Sequence, residues 1–161
     1  MLVFGGNDGM VHILNADTGR ELLAYVPSML FNKLPDLTNP GYSHQFYVDQ
    51  PVSVTDVFYN SGWHTLAVGG LGKGGQGLYA LDITNPAAFT EANAANIVRW
   101  EFTDSDLGYT YTKPRVIKMN NDKWMVAFGN GYNSTEADGS ASTSGEPPKV
   151  SVSMMSAPAA R

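Results

Sequence analysis

The sequence predicts an all-β protein built as part of a β-propeller, roughly two to three blades of four antiparallel strands followed by a disordered tail. Three observations carry that expectation. Glycine and proline supply 17 and 9 of the 161 residues, so tight turns are frequent without reaching the level of a low-complexity chain. Short runs rich in Val, Ile, Phe, Tyr and Trp stand between those turns, as half-buried strands require. Finally, Val57 to Gly70 and Val116 to Gly131 read alike as strand, turn, Trp-led strand and glycine pair, with Trp63 matching Trp124 and Gly70 matching Gly131 at a common separation of 61 positions. A four-stranded unit repeated in this way needs neighbours, because one sheet cannot bury both of its own faces.

The elements follow in order. Residues 1–27 form an incomplete blade. Its first strand, Leu2-Val3-Phe4-Gly5-Gly6, aligns with Leu66 to Gly70; Val11-His12-Ile13-Leu14 aligns with Leu78-Tyr79-Ala80-Leu81; and Glu21 to Val26 aligns with Val98 to Phe102. This unit lacks its opening hairpin strand. Residues 28–50 form an inserted loop, 51–104 a second blade and 113–134 the start of a third. The turns at Asn60-Ser61 and Asn120-Asn121-Asp122 use residues that tolerate positive φ, and they mark hairpins. From 135 to 161 the composition shifts to Ser, Ala, Gly, Thr and Pro, which predicts a disordered tail. The expected third strand, due about eight residues after the glycine pair by repeat spacing, is not recognisable there, which suggests a truncated or shifted reading frame. Tyr25, Tyr79, Trp63, Trp100 and Trp124 recur at matching strand positions and are expected to pack between blades.

Several function classes are excluded at this level. The net charge of -5, from 10 basic and 15 acidic residues, argues against a surface that tracks nucleic-acid phosphates. With no cysteine there is neither a disulfide framework nor a thiolate nucleophile or ligand. No apolar run is long enough to span a membrane, and Met1-Leu2-Val3-Phe4-Gly5-Gly6 has neither the basic nor the long apolar region of a signal peptide. The run Gly69 to Gly77 leads into a strand rather than a helix, so its glycines read as a tight loop with positive φ and not as a phosphate cradle.

At Val3-Phe4-Gly5-Gly6-Asn7-Asp8-Gly9, at Asn15-Ala16-Asp17-Thr18-Gly19-Arg20-Glu21-Leu22, at Tyr42-Ser43-His44-Gln45-Phe46-Tyr47-Val48-Asp49, at Gly77-Leu78-Tyr79-Ala80-Leu81-Asp82 and at Phe128-Gly129-Asn130-Gly131-Tyr132-Asn133, the chain resembles the β-propeller domain of the PilC/PilY family, the type IV pilus biogenesis and tip-associated adhesins. The resemblance extends over residues 2–134 in colinear order. It implies a piece of a large secreted protein that is extracellular, at the outer membrane or on the pilus. That protein is expected to act in pilus extension and retraction and in adhesion to surfaces or host cells. Its expected partners are pilus components, a host-cell surface and the remaining blades of its own propeller. No catalytic residue is implied, and the family's calcium loop matches nothing here, so calcium is expected only in the complete parent.

Within the chain, Asp104 and Asp106 are the weak metal candidates, since two close carboxylates offer the hard oxygens that calcium prefers, although both acids equally suit loop capping. His12, His44 and His64 have no ligand-like spacing. Tyr42, His44 and Phe46, in the long aromatic insertion, are the candidates for a recognition loop, because binding on a rigid scaffold usually resides in such loops. A second function is a fragment of a quinoprotein dehydrogenase that uses pyrroloquinoline quinone, because Ala16 to Leu22 also resembles the blade turn of those enzymes. Against it, Leu23 stands where those blades carry a Trp.

Overall fold

The computed structural model describes residues 1–104 and 107–132, and the backbone of Val150–Met154. Three antiparallel sheets follow one another along the chain. The first contains β1 (Leu2–Gly5), β2 (Val11–Leu14) and β3 (Glu21–Tyr25), in that order. The second is a complete four-stranded blade of β4 (Ser53–Tyr59), β5 (Gly62–Gly70), β6 (Leu78–Asp82) and β7 (Val98–Phe102). The third pairs β8 (Arg115–Lys118) with β9 (Trp124–Gly129), and β9 in turn with β10 (Val150–Met154). Between β6 and β7 lie two short 3₁₀ turns and a single-turn helix, α1 (Ala94–Ile97).

Turn chemistry sets the two hairpins. Asn60 and Ser61 both have positive φ, 48° and 62°, and close the two-residue loop whose twist suits the strands beside it. The β8–β9 loop is one residue longer. Its Met119 N–H donates to the Lys123 carbonyl at 2.8 Å, and Asp122 takes the left-handed position with φ 60°.

The blades stack face to face, and alternation along the central strands assigns each side chain to a seam. On β6, Tyr79 and Leu81 join Val11, Ile13, Ala67 and Leu30 in the core between the first and second sheets. Leu78 and Ala80 face the other way and join Leu66, Val68, Val126 and Phe128 between the second and third. A strand buried on both faces is apolar at every position, which is why Leu78 to Leu81 reads as a continuous run rather than an alternation.

Polar locks reinforce both seams. From β7, Glu101 accepts hydrogen bonds from the Tyr25 hydroxyl and from the Ser28 hydroxyl and backbone N–H of the first unit, the last at 2.7 Å. Across the second seam, the Trp124 indole N–H donates to the Phe58 carbonyl at 3.0 Å. The Gln50 amide donates to the carbonyls of Thr110 and Thr112, and the Ser53 hydroxyl to that of Pro114.

The structure corrects four sequence expectations. In β1, Gly5 pairs with Val11 as Gly70 pairs with Leu78, so the true equivalent of Gly70 is Gly5 and not Gly6; the doubled glycine hides a slip of one residue. Trp63 is 65% exposed, unlike Tyr25, Tyr79, Trp100 and Trp124, which pack in the two cores. A third strand does pair with β9, at Val150–Met154. Its Val-Ser-Val-Ser-Met alternation was hidden by surrounding composition and by its distance from Gly131. In the run Gly69 to Gly77, only Gly72 has positive φ; the others answer a different constraint, described next.

Candidate functional site

The inserted segment 28–50 runs over the seam between the first two blades. Pro27, at φ -59°, sends the chain out of β3 into a 3₁₀ turn at Ser28–Leu30, and a second turn spans Leu34–Thr38. Leu30 is buried, and Leu34 and Leu37 pack on the same core. The return leg is the anchor, with Tyr47 and Val48 0% and 2% exposed.

Backbone bonds stitch that leg to both blades. The Val48 N–H donates to the Gly6 carbonyl at 3.3 Å, and the Asp49 N–H to the Leu71 carbonyl at 3.1 Å. The Tyr47 N–H donates to Asn7 Oδ1 at 3.2 Å. Lys33 closes the base: its ammonium donates to the carbonyls of Phe46 at 2.7 Å and Gly74 at 3.2 Å, and lies 4.8 Å from the Tyr47 ring centre. Burial, only partly offset by Asp36, lowers its pKa.

This explains the glycine-rich run. A Cβ on Gly74 would stand 1.6 Å from the Tyr47 carbonyl oxygen, and one on Gly77 would stand 2.0 Å from Met29 Sδ. The glycines form a flat seat on which the insertion lies, so close approach is what most of them provide.

Above this anchor, His44 and Phe46 are in ring contact, and Tyr42 meets the same stretch through the Gln45 backbone. Tyr42 and His44 are exposed and Phe46 is half-buried. The ring of His44 meets Phe46 edge-on at 4.8 Å, and the Lys73 ammonium lies over the Phe46 ring, 4.5 Å from its centre. The Gln45 N–H donates to the Tyr42 hydroxyl at 3.1 Å, and the Gln45 amide to Asp36 Oδ2 at 3.3 Å. The result is an aromatic tip with a cation beside it on a fixed base, chemistry suited to stacking and hydrogen bonding with a partner surface. Lys33, Tyr47 and Val48 escaped the sequence reading. The apolar run Phe46-Tyr47-Val48 was the signal, since a loop tip has no need of three consecutive large apolar residues.

The other candidates go elsewhere. Asp104 lies exposed in the loop after β7, while Asp106 falls outside the described residues, so the pair's geometry as a metal site is not placed. Among the described residues no group of three or more His, Asp or Glu side chains is arranged to hold a metal ion. His12 lies between Glu21 at 2.6 Å and Asp8 at 2.9 Å; these carboxylates, Glu21 foremost, outweigh burial and raise its pKa. Asp82 accepts from the Tyr59 hydroxyl at 2.7 Å and pairs with His64 Nδ1 at 2.8 Å. Burial works to raise the Asp82 pKa, but hydrogen bonds from Thr84, Tyr59 and His64 outweigh it and hold the group below its ordinary value. This cluster ties the β4–β5 hairpin to β6. Tyr111 and Tyr132 share a hydroxyl–hydroxyl bond of 2.9 Å, which helps push the Tyr111 pKa up to about 12. Leu23, at the position where quinoprotein blades carry Trp, packs into the first core.

Comparison with known proteins supplies the context. A family model described as the PilY1 beta-propeller domain matches residues 1–144. The type IV pilus biogenesis factor PilY1 of Pseudomonas aeruginosa strain UCBPP-PA14 is 44% identical over 136 residues, covering 81% of this chain and 11% of that protein. A PilY1 homolog of Xylella fastidiosa is 43% identical over 134 residues, covering 81% of this chain and 9% of that protein. Among solved structures, the crystal structure of the Pseudomonas aeruginosa PilY1 C-terminal domain aligns with a TM-score of 0.64 at 40% identity, covering 83% of this chain and 25% of that one. The chain thus spans about a tenth of the length of the curated relatives it matches. Among the described residues no helix is long and apolar enough to cross a membrane.

Proposed function

The chain belongs to the PilY1 β-propeller domain family, and from that membership we propose that it is a non-enzymatic binding and assembly module of type IV pilus biogenesis, acting through loops and blade surfaces. In this reading it serves pilus extension and retraction and adhesion to surfaces or host cells, from an extracellular, outer-membrane or pilus-associated site. Its partners are pilus components, a host-cell surface and the further blades of a longer polypeptide. Calcium, where the longer protein uses it, is held by residues outside those described.

The observation that carries this reading is the aromatic tip of Tyr42, His44 and Phe46 on a base locked to two blades. A rigid base lets exposed rings bind without first being ordered, which removes one of the entropic costs of a loop contact. The test is a full-length pilus biogenesis protein carrying this domain, expressed in a piliated host lacking its own copy. Changing Tyr42, His44 and Phe46 together to alanine should leave surface pili assembled and reduce attachment to host cells or abiotic surfaces. Normal attachment by that variant, with the protein present on the surface, refutes the assignment of the tip as the contact.

A further inference from the structure

Tyr111 and Tyr132 belong neither to the recognition tip nor to either apolar core, and they meet in a specific geometry. Their rings are stacked, with centres 5.6 Å apart and planes within 19°, and their hydroxyls share a hydrogen bond of 2.9 Å. Both are open to solvent, at 45% and 51% exposed. The backbone beneath holds them in place. The Tyr109 N–H donates to the Tyr132 carbonyl at 2.9 Å, and the Gly108 N–H to Asn130 Oδ1 at 2.6 Å. A Cβ on Gly108 would strike the carbonyl oxygens of Gly131 and Tyr132, and one on Gly131 that of Tyr109. Two segments are thus pressed together through glycine, one leading from β7 to β8 and the other leaving β9, and each brings one tyrosine to the meeting point.

The remaining tyrosines are placed differently. Tyr25 and Tyr79 are 5.8 Å apart, but their rings are tilted by 58° and packed in the first core. Tyr47 is buried, Tyr59 is stacked against His64 at 3.9 Å, and the hydroxyl of Tyr42 is held by the Gln45 backbone. Tyr109 touches both members of the exposed pair, but at tilts of 54° and 56°.

We propose that Tyr111 and Tyr132 are a site of oxidative cross-linking, where a haem peroxidase with hydrogen peroxide joins the two rings into a dityrosine. Each phenol loses one hydrogen atom, as an electron and a proton. The two radicals then pair in a bond between ring carbons ortho to the oxygens, and the ortho hydrogens return to the oxygens as the rings become aromatic again. The two hydrogen atoms lost convert one hydrogen peroxide to two waters. Coupled in this way, the phenols still have their hydroxyls side by side, as they stand before reaction. Holding both rings in contact removes the entropic cost of their encounter. The bond closes the loop that contains β8 and β9, in a chain with no cysteine to form a disulfide, and a covalent closure of this kind restricts the unfolded chain.

The test treats the full-length protein that carries this domain with a haem peroxidase and limiting hydrogen peroxide, then separates the monomer and digests it with trypsin. The expected product is residues 100–115, uncut at Lys113 because Pro114 follows, joined to residues 124–149, with a mass two hydrogens below the sum. Fragmentation should place the bond on Tyr111 and Tyr132. Tyr111→Phe and Tyr132→Phe, which keep the rings, should each lower the yield at least tenfold, while Tyr109→Phe should retain it. The linked protein should exchange its β8 and β9 amides several-fold more slowly than the untreated one. Absence of the linked pair from the monomer overturns the proposal, as does a bond placed on Tyr42 or Tyr109 instead. A link that leaves exchange in β8 and β9 unchanged overturns its role as a staple. None of these readouts involves pili or attachment, so the outcome is independent of the pilus assignment.

Discussion

At the scale of single residues, burial and hydrogen bonding decide what each side chain is worth. The Tyr79 hydroxyl is buried with no hydrogen-bond partner among the described residues, and an unsatisfied buried group costs free energy that its removal recovers. Tyr79→Phe should therefore be neutral or stabilising by up to about 1 kcal/mol, read as a shift in the urea midpoint at unchanged slope. A large destabilisation would mean that the hydroxyl has a partner after all. His12 behaves oppositely. Its pKa is raised above the ordinary 6.5, Glu21 contributing most, so the folded state holds the proton more tightly than the unfolded one. The stability it contributes is fully present below the unfolded value and is lost as pH rises through the folded one. Urea midpoints measured across neutral pH should fall over that window in the parent sequence and stay flatter in His12→Gln. Equal slopes would dismiss the ion cluster as a contributor.

At the scale of elements, backbone geometry dominates. Ser61 sits in the tight β4–β5 turn with φ 62°, and a residue with a Cβ is disfavoured there by roughly 1–2 kcal/mol. Ser61→Gly should recover part of that despite the greater freedom of glycine in the unfolded chain, raising the melting temperature by a few degrees. Gly74→Ala should do the reverse for a different reason. Its Cβ meets the Tyr47 backbone carbonyl at 1.6 Å, and backbone cannot swing aside as a side-chain tip can. We expect a loss of about 1–3 kcal/mol and release of the 28–50 segment, visible as faster proteolysis within it. An unchanged cleavage rate would show that the insertion is held by its apolar anchors alone.

For the whole molecule, the question is what makes consecutive sheets act as one body. The apolar seams supply most of the driving force, while Glu101 fixes the first blade against the last strand of the second through Tyr25 and Ser28. Glu101→Gln replaces a carboxylate that accepts three hydrogen bonds with an amide that turns a donor toward them. Hydrogen bonds to charged groups contribute about 1.5–3 kcal/mol, so the loss should be of that order. Its signature should be uncoupling, with the first blade exchanging its amides ahead of the second. A uniform loss of protection across both blades would place the lock's effect on global stability instead.

Much of this architecture was legible in the chain. Strand order and hairpins followed from local chemistry: Val, Phe, Tyr and Trp runs favour the pleated surface, and Asn-Ser or Asn-Asp turns admit positive φ. The repeat of Trp63 and Gly70 in Trp124 and Gly131 announced blades, and the aromatic insertion marked Tyr42, His44 and Phe46. Only tertiary structure decided the rest, because it depends on what lies across a seam. Two tryptophans in the same repeat position have opposite fates, Trp124 covered by β4 and Trp63 left open beside a three-stranded blade. The glycines of 69–77 look like a loop in sequence and prove to be a seat, since the atom that forbids a side chain at Gly74 belongs to Tyr47. The spacing of strands is written locally, but the identity of a neighbour is not, and burial is a property of neighbours.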